Sequence, residues 1–184
     1  MALAKDYKSV MARSNDIMKE ALGLDYDEFE KGGTVFDYDA LMKATNYTLD
    51  EIEKIQSQTG VGDTPLLELR NITALARKYA KPGYGARILV KDEAANASGS
   101  FKDRRAACAV AHAKKLGYKG VMAATSGNYG AAVASQAAMQ GLKCIVVQEC
   151  YDSHGVGQPE IVEKARKCEA LGAEVIQLTV GPEL

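Results

Sequence analysis

Two short polar stretches of this 184-residue chain carry residue types able to do chemistry, and each stands where a strand gives way to a helix. The first, Asn96-Ala-Ser-Gly-Ser-Phe-Lys102, follows the β-rich run Arg87-Ile-Leu-Val-Lys91 and precedes an alanine-rich segment, 103–116, of helical period. Its turn-type residues end the strand and can cap the helix, which sets Lys102 at the helix mouth. A primary amine can attack a carbonyl and, once freed, carry a proton, whereas a lysine read alone is a solvated surface charge. The second stretch, Thr125-Ser-Gly-Asn-Tyr-Gly130, lies one strand–helix unit downstream, between the apolar residues 121–124 and another alanine-rich helix. Ser126 and the N–H groups of a helix start can take a carboxylate, because that end carries partial positive charge. The plainer reading of Ser126 and Asn128 is N-capping. Gly127 and Gly130 let the backbone come close to a ligand.

The elements that must hold these stretches follow from periodicity. Residues 1–60 read as a helical N-terminal segment. Within it Tyr7, Val10, Met11, Ile17, Met18, Ala21 and Leu22 form one apolar stripe, and Thr48-Leu-Asp-Glu51 matches a capping box. The character changes at 61–65, where a turn leads into a strand at 66–69, a helix at 72–79 and the strand at 87–91. A regular series follows: helix 103–116, strand 119–124, helix 128–140, strand 143–148, loop 149–157, helix 159–171 and strand 174–179. Gly117, Gly141 and Gly172 each follow a predicted helix, at the position where a left-handed residue ends it without steric cost. Strands joined by crossover helices are parallel, so the fold class is α/β, a parallel sheet with flanking helices. In such a sheet the strand-to-helix turns gather at the carboxyl ends of the strands, where ligands bind.

Together the two stretches resemble the fold-type II pyridoxal-phosphate enzymes, a group that includes threonine synthase, cysteine synthase and serine dehydratase. Gly62-Asp-Thr-Pro-Leu66 resembles the opening of the same group, so the likeness runs from about residue 61 to 184. The resemblance implies that the cofactor is pyridoxal 5'-phosphate and that Lys102 is the catalytic lysine, holding it as a Schiff base. It implies that Asn128 binds the cofactor ring through its phenolic oxygen, and that Thr125, Ser126, Gly127 and Asn128 bind the substrate. Residues 61–184 would then be the N-terminal half of the catalytic unit, with the series 103–184 as its smaller domain.

Three further runs, Lys5-Asp-Tyr-Lys-Ser-Val-Met-Ala-Arg-Ser14, the stretch 64–79 and Val147-Gln-Glu-Cys-Tyr-Asp152, are similar to the beta subunits of the 2-amino-4-oxopentanoate thiolases. That likeness implies cleavage of a small amino-ketone acid by coenzyme A to acetyl-CoA and alanine, in ornithine degradation. It also implies a smaller alpha subunit as partner and an oligomer. The rival enzyme reading is a threonine synthase-like lyase, which shares Ser-Phe-Lys-Asp-Arg. The rival of another class is a non-catalytic remnant or binding module. The glycine-rich phosphate loop and the residue facing the pyridine nitrogen in the resembled enzymes are not visible here. The expectation is therefore a truncated polypeptide that by itself binds the cofactor poorly and does not turn over.

Composition narrows the classes. With 47% hydrophobic residues the chain can build one ordinary core. A net charge of −1, with both signs spread along the chain, favours neither nucleic acid nor a membrane surface as partner. No run reads as a signal peptide or a membrane span, which points to the cytoplasm. Cys108, Cys144, Cys150 and Cys168 form no Cys-x-x-Cys pair, so they read as small buried thiols in a reducing compartment, with no metal site. Other nucleophile motifs fail on spacing: Ser-x-x-Lys needs serine where Gly99 stands, and Gly-x-Ser-x-Gly needs glycines where Ala124 and Asn128 stand.

Overall fold

The structure, a computed structural model, describes residues 6–151 and 154–179. The chain divides into two compact units, Met1–Glu51 and Ile52–Leu184. In the first, α1 (Tyr7–Met11) and α2 (Ser14–Leu22) are separate short helices, so the apolar residues from Tyr7 to Leu22 do not share one continuous face. Neither helix buries a residue, and Tyr7, Val10, Met11 and Ile17 stay exposed. This corrects the single stripe read from the sequence. The local core gathers instead around Phe36, whose ring centroid lies 4.9 Å from Tyr38, 5.5 Å from Tyr26 and 6.2 Å from Phe29. Phe29 and Leu41, the latter on α3 (Tyr38–Ala44), are buried there. At the start of α4 (Leu49–Ser57) both halves of the expected capping box form: the Glu51 N–H donates to Thr48 Oγ1 at 3.2 Å, and the Thr48 N–H donates to the Glu51 carboxylate at 2.8 Å.

The second unit opens with a short antiparallel pair, β1 (Leu66–Glu68) and β2 (Leu89–Lys91), connected through α5 (Arg70–Tyr79). The predicted series then appears as α6 (Lys102–Lys115), β3 (Gly120–Ala124), α7 (Asn128–Gln140), β4 (Lys143–Tyr151), α8 (Pro159–Ala170) and β5 (Glu174–Thr179). The last three strands form a parallel sheet in the order β3-β4-β5, with Val121 opposite Cys144 and Val146 opposite Val175. The architecture is thus α/β, a parallel sheet with flanking helices. Beyond shifts of one or two residues at element ends, two features differ from the sequence reading. The strand ahead of Lys102 pairs with β1 outside the parallel sheet. β4 runs on to Tyr151 where a loop was expected from residue 149, because the alternation of buried positions continues through Cys150 and β5 pairs along it. No helix among the described residues is long and apolar enough to cross a membrane.

α7 sets the packing. From Gly130 to Ala137 every residue is buried, and six of the eight are glycine, alanine or serine, so that α6, α8, β3 and β4 can all approach the helix. Gly130 is the closest point. A Cβ there would sit 2.9 Å from Thr125 Cγ2 and 2.9 Å from Val146 Cγ1. On the same side of the sheet Cys144, Val146, Gln148 and Cys150 point into the core, and burial, with Cys168 nearby, pushes the Cys144 thiol up to about 11. Met122, Ile176 and Leu178 remain exposed.

A polar network holds the approach to α6. The Arg104 Nε and Nη2 atoms donate to the two oxygens of Glu93 at 2.7 and 2.8 Å, a bidentate pair. The Thr64 hydroxyl donates to the same carboxylate at 2.7 Å and the Asn96 amide at 3.0 Å. Asn96 also accepts from the Gly62 N–H at 3.0 Å, and Lys91 donates to the Thr64 carbonyl. The side-chain cap that the turn-type residues ahead of α6 could have given does not form, since the N-cap position is Phe101 and no side chain bonds there. Buried Asp103 reaches back instead and accepts the Ser98 N–H at 2.6 Å, while Lys167 of α8 donates to the Ser98 carbonyl at 2.7 Å. The loop before Lys102 is therefore gripped from both sides.

Two outcomes follow from this packing. Gly130→Ala is expected to destabilise by about 1–2 kcal/mol, since the stiff β-branched Thr125 and Val146 cannot yield cheaply and overpacking outweighs alanine's better helix propensity; a lowered urea midpoint at unchanged m-value checks it. The Arg104 hydrogen bonds, then those of Thr64, hold the Glu93 carboxyl down at about 2 from its ordinary 4.5. A depressed carboxyl stabilises the fold fully above its unfolded value and loses that contribution as pH falls through the folded one. Glu93→Gln should thus cost about 1.5–3 kcal/mol at neutral pH, and its deficit should shrink between about pH 4.5 and pH 2 in chemical denaturation across that range.

Candidate active site

Lys102 is the first residue of α6 and Asn128 the first residue of α7, and the two helices are neighbours. Their opening turns touch directly: the Arg105 guanidinium lies 4.6 Å from the centroid of the Tyr129 ring, within cation–π range. Lys102 itself is half-buried, with its Nζ 4.5 Å from the centroid of the exposed Phe101 ring. Arg104, two residues on, is committed to Glu93, which raises the guanidinium's own affinity for its proton. It therefore orders the loop and is not a mobile charge beside the lysine.

The turn between β3 and α7 is drawn in on itself. The Gly127 N–H donates to Thr125 Oγ1 at 3.0 Å, and the Thr125 N–H donates to the Val147 carbonyl at 2.8 Å, which fixes the turn to the next strand. α7 has no side-chain cap: Gly127 occupies the N-cap position in an extended conformation, so the plain N-capping role for Ser126 and Asn128 is absent here. The N–H groups that open α7 keep their partial positive charge for another anion. Beside this turn, at the carboxyl ends of the three parallel strands, lies an open hollow of about 320 Å³ lined by Ala124, Thr125, Ser126, Val147, Glu149 and Leu178. A position at the carboxyl ends of parallel strands is where an open α/β sheet binds its ligands.

Of the residues singled out from the sequence, Thr125 and Ser126 line the hollow. Gly127 and Asn128 continue the same turn into α7, and Asn128 is exposed. Lys102 stands on the adjoining helix and is not part of the hollow's wall. Sequence reasoning missed four residues around them. Glu93 and Asp103 order the lysine loop, Glu149 faces the hollow, and Gln148 is buried beneath the turn, its Nε2 3.9 Å from where a Gly130 Cβ would be. Asp103 alone left a usable trace: an acidic residue in the first turn of an otherwise apolar helix face.

A family model for pyridoxal-phosphate dependent enzymes matches residues 57–183. The beta subunit of 2-amino-4-ketopentanoate thiolase from Acetoanaerobium sticklandii is 74% identical over 184 residues, an alignment covering 99% of this chain and 39% of that subunit. Threonine synthase from Halalkalibacterium halodurans is 43% identical over 88 residues, 48% of this chain and 23% of that enzyme. Among solved structures, a pyridoxal 5'-phosphate-dependent aspartate racemase superposes with a TM-score of 0.57 at 26% identity, covering 75% of this chain and 40% of the racemase. The chain thus spans about two fifths of the length of the thiolase subunit it matches. With a family match over more than half its residues and a fold shared with such enzymes, this chain belongs to the pyridoxal-phosphate dependent enzymes.

Proposed function

We propose that this chain supplies the lysine and the substrate turn of a pyridoxal 5'-phosphate enzyme that cleaves 2-amino-4-oxopentanoate with coenzyme A to acetyl-CoA and alanine. The observation that carries the reading is the contact between the first turns of the Lys102 and Asn128 helices, together with the hollow that the turn before Asn128 lines at the strand ends. The 74% identity to a thiolase beta subunit across nearly the whole chain supports this substrate over that of the threonine synthases, whose likeness covers about half of it. In this reading 61–184 belongs to the catalytic unit, with 103–184 as its smaller domain. The active assembly is a cytoplasmic oligomer of subunits as long as the relatives, each paired with a smaller alpha subunit.

The residues present fit the cofactor. Ser98 and Ser100, in the loop ahead of Lys102, are buried with hydroxyl oxygens that find no partner among the described residues, and the buried Gln148 amide nitrogen is likewise unmatched. Buried polar groups left so cost about 1–3 kcal/mol each, and a polar ligand seated near them would offset that cost. When bound, the cofactor supplies the electron sink that lets bonds next to the amino-bearing carbon ionise. Lys102 provides the amine that holds the cofactor aldehyde and, once released, moves the proton at the substrate Cα. Asn128 donates from its amide to the ring oxygen, a place that calls for an uncharged donor. Thr125 and Ser126, with the open N–H groups at the start of α7, hold the α-carboxylate and so orient the Cα–H bond toward the lysine.

Borohydride reduction followed by peptide mapping is expected to find the reduced cofactor on Lys102 in the full-length subunit. Lys102→Ala should abolish that attachment and lower coenzyme A-dependent acetyl-CoA release by about 10²–10⁴-fold. Asn128→Ala should shift the cofactor absorbance band, and Ser126→Ala should raise KM more than it lowers kcat. Reduced cofactor on another lysine would remove Lys102 from the role. Turnover of a phosphorylated amino acid without coenzyme A would favour the threonine synthase-like alternative.

A further inference from the structure

The hollow at the strand ends holds one acidic side chain, Glu149, which faces the same space as Thr125 and Ser126. Its placement follows from the pleat. Gln148 and Cys150 turn toward the helices and are buried, so Glu149 between them turns with Val147 to the other face and remains exposed. Its partner across β5 is Leu178, and among the described residues no lysine or arginine forms an ion pair with it. The rest of the wall, Ala124, Val147 and Leu178, is apolar. A carboxylate thus stands in an otherwise apolar recess, together with the turn assigned to the substrate's own carboxylate.

We propose that Glu149 is a specificity-determining residue that selects substrates by the charge at the far end of the side chain, admitting amino acids with a neutral end and disfavouring those ending in a carboxylate or phosphate. The inference rests on the reading that Thr125 and Ser126 hold the α-carboxylate. In a space of about 320 Å³ no part of a five-carbon amino acid lies far from any wall. A distal anion would then be brought close to Glu149 at the reduced effective dielectric of a protein surface, where like charges repel appreciably. A site that penalises the wrong ligand in this way gains discrimination without tighter contacts to the right one. A neutral ketone end meets no such penalty.

The test uses the cofactor-loaded protein and two isosteric ligands that differ only in distal charge, L-glutamine and L-glutamate, each titrated while the cofactor absorbance is followed. In the wild-type protein the dissociation constant for glutamate should exceed that for glutamine by about tenfold or more. Glu149→Gln should reduce that ratio by about tenfold, Glu149→Asp should retain most of it, and Glu149→Lys should reverse the preference. A ratio that is the same in wild type and Glu149→Gln overturns the inference while leaving the substrate turn in place. A wild-type spectrum that neither ligand nor L-alanine perturbs strikes the reading of the hollow first, and the inference with it.

Discussion

The close approach of α7 to the sheet is the constraint on which the catalytic unit rests. A helix buried on every side from Gly130 to Ala137 needs mostly small side chains, and apart from Val133 and Gln136 these are glycine, alanine and serine, which let α6, α8 and the strands β3 and β4 close in around it. The closest contact falls at the first turn, where Gly130 lies against Thr125 and Val146. That place is also where the chain leaves β3 for the turn into α7. Packing density and turn geometry are therefore one problem here: a Cβ added at Gly130 would push on Thr125, which belongs to the turn before α7.

The lysine loop is held by different physics. It lies outside the parallel sheet, after a short antiparallel pair, and has no regular backbone ladder to define it. Side chains do that work. Glu93 gathers Arg104, Thr64 and Asn96, Asn96 reaches on to Gly62, Asp103 binds the Ser98 N–H, and Lys167 takes the Ser98 carbonyl from α8. Such a network is expensive when half-satisfied and rigid when complete. Among the described residues it is left open at the Ser98 and Ser100 hydroxyls and at Asp103 Oδ1, on either side of the lysine in sequence.

The two devices meet through the Arg105–Tyr129 contact, which joins the first turns of α6 and α7. The turn that leads into α7 lines a recess whose walls are apolar apart from Thr125, Ser126 and Glu149, and Lys102, at the start of α6, stands outside that wall. In the proposed reading one carboxylate is attracted at the helix start and another repelled at the strand end, which would both orient a substrate and sort it by charge.

The order of elements from residue 103 onward was legible in the sequence, because the period of apolar residues changes cleanly between strand and helix and left-handed glycines end α6, α7 and α8. The capping box at Thr48 and Glu51 was legible for the same local reason, as was the pairing of a lysine motif with a Thr-Ser-Gly-Asn turn. Short-range chemistry leaves short-range patterns. The broken helix at residues 12–13, the antiparallel partner of the strand before Lys102, and the extension of β4 through Tyr151 depended on which segments met in space. So did the commitment of Arg104 to Glu93, eleven residues away, and the sharing of one hollow by Glu149 and Ser126. The sequence by itself determined which residue types could do the chemistry and which elements carry them. Only the tertiary structure decided which charges neutralise each other and which face the hollow, because that depends on distances between segments that no local period encodes.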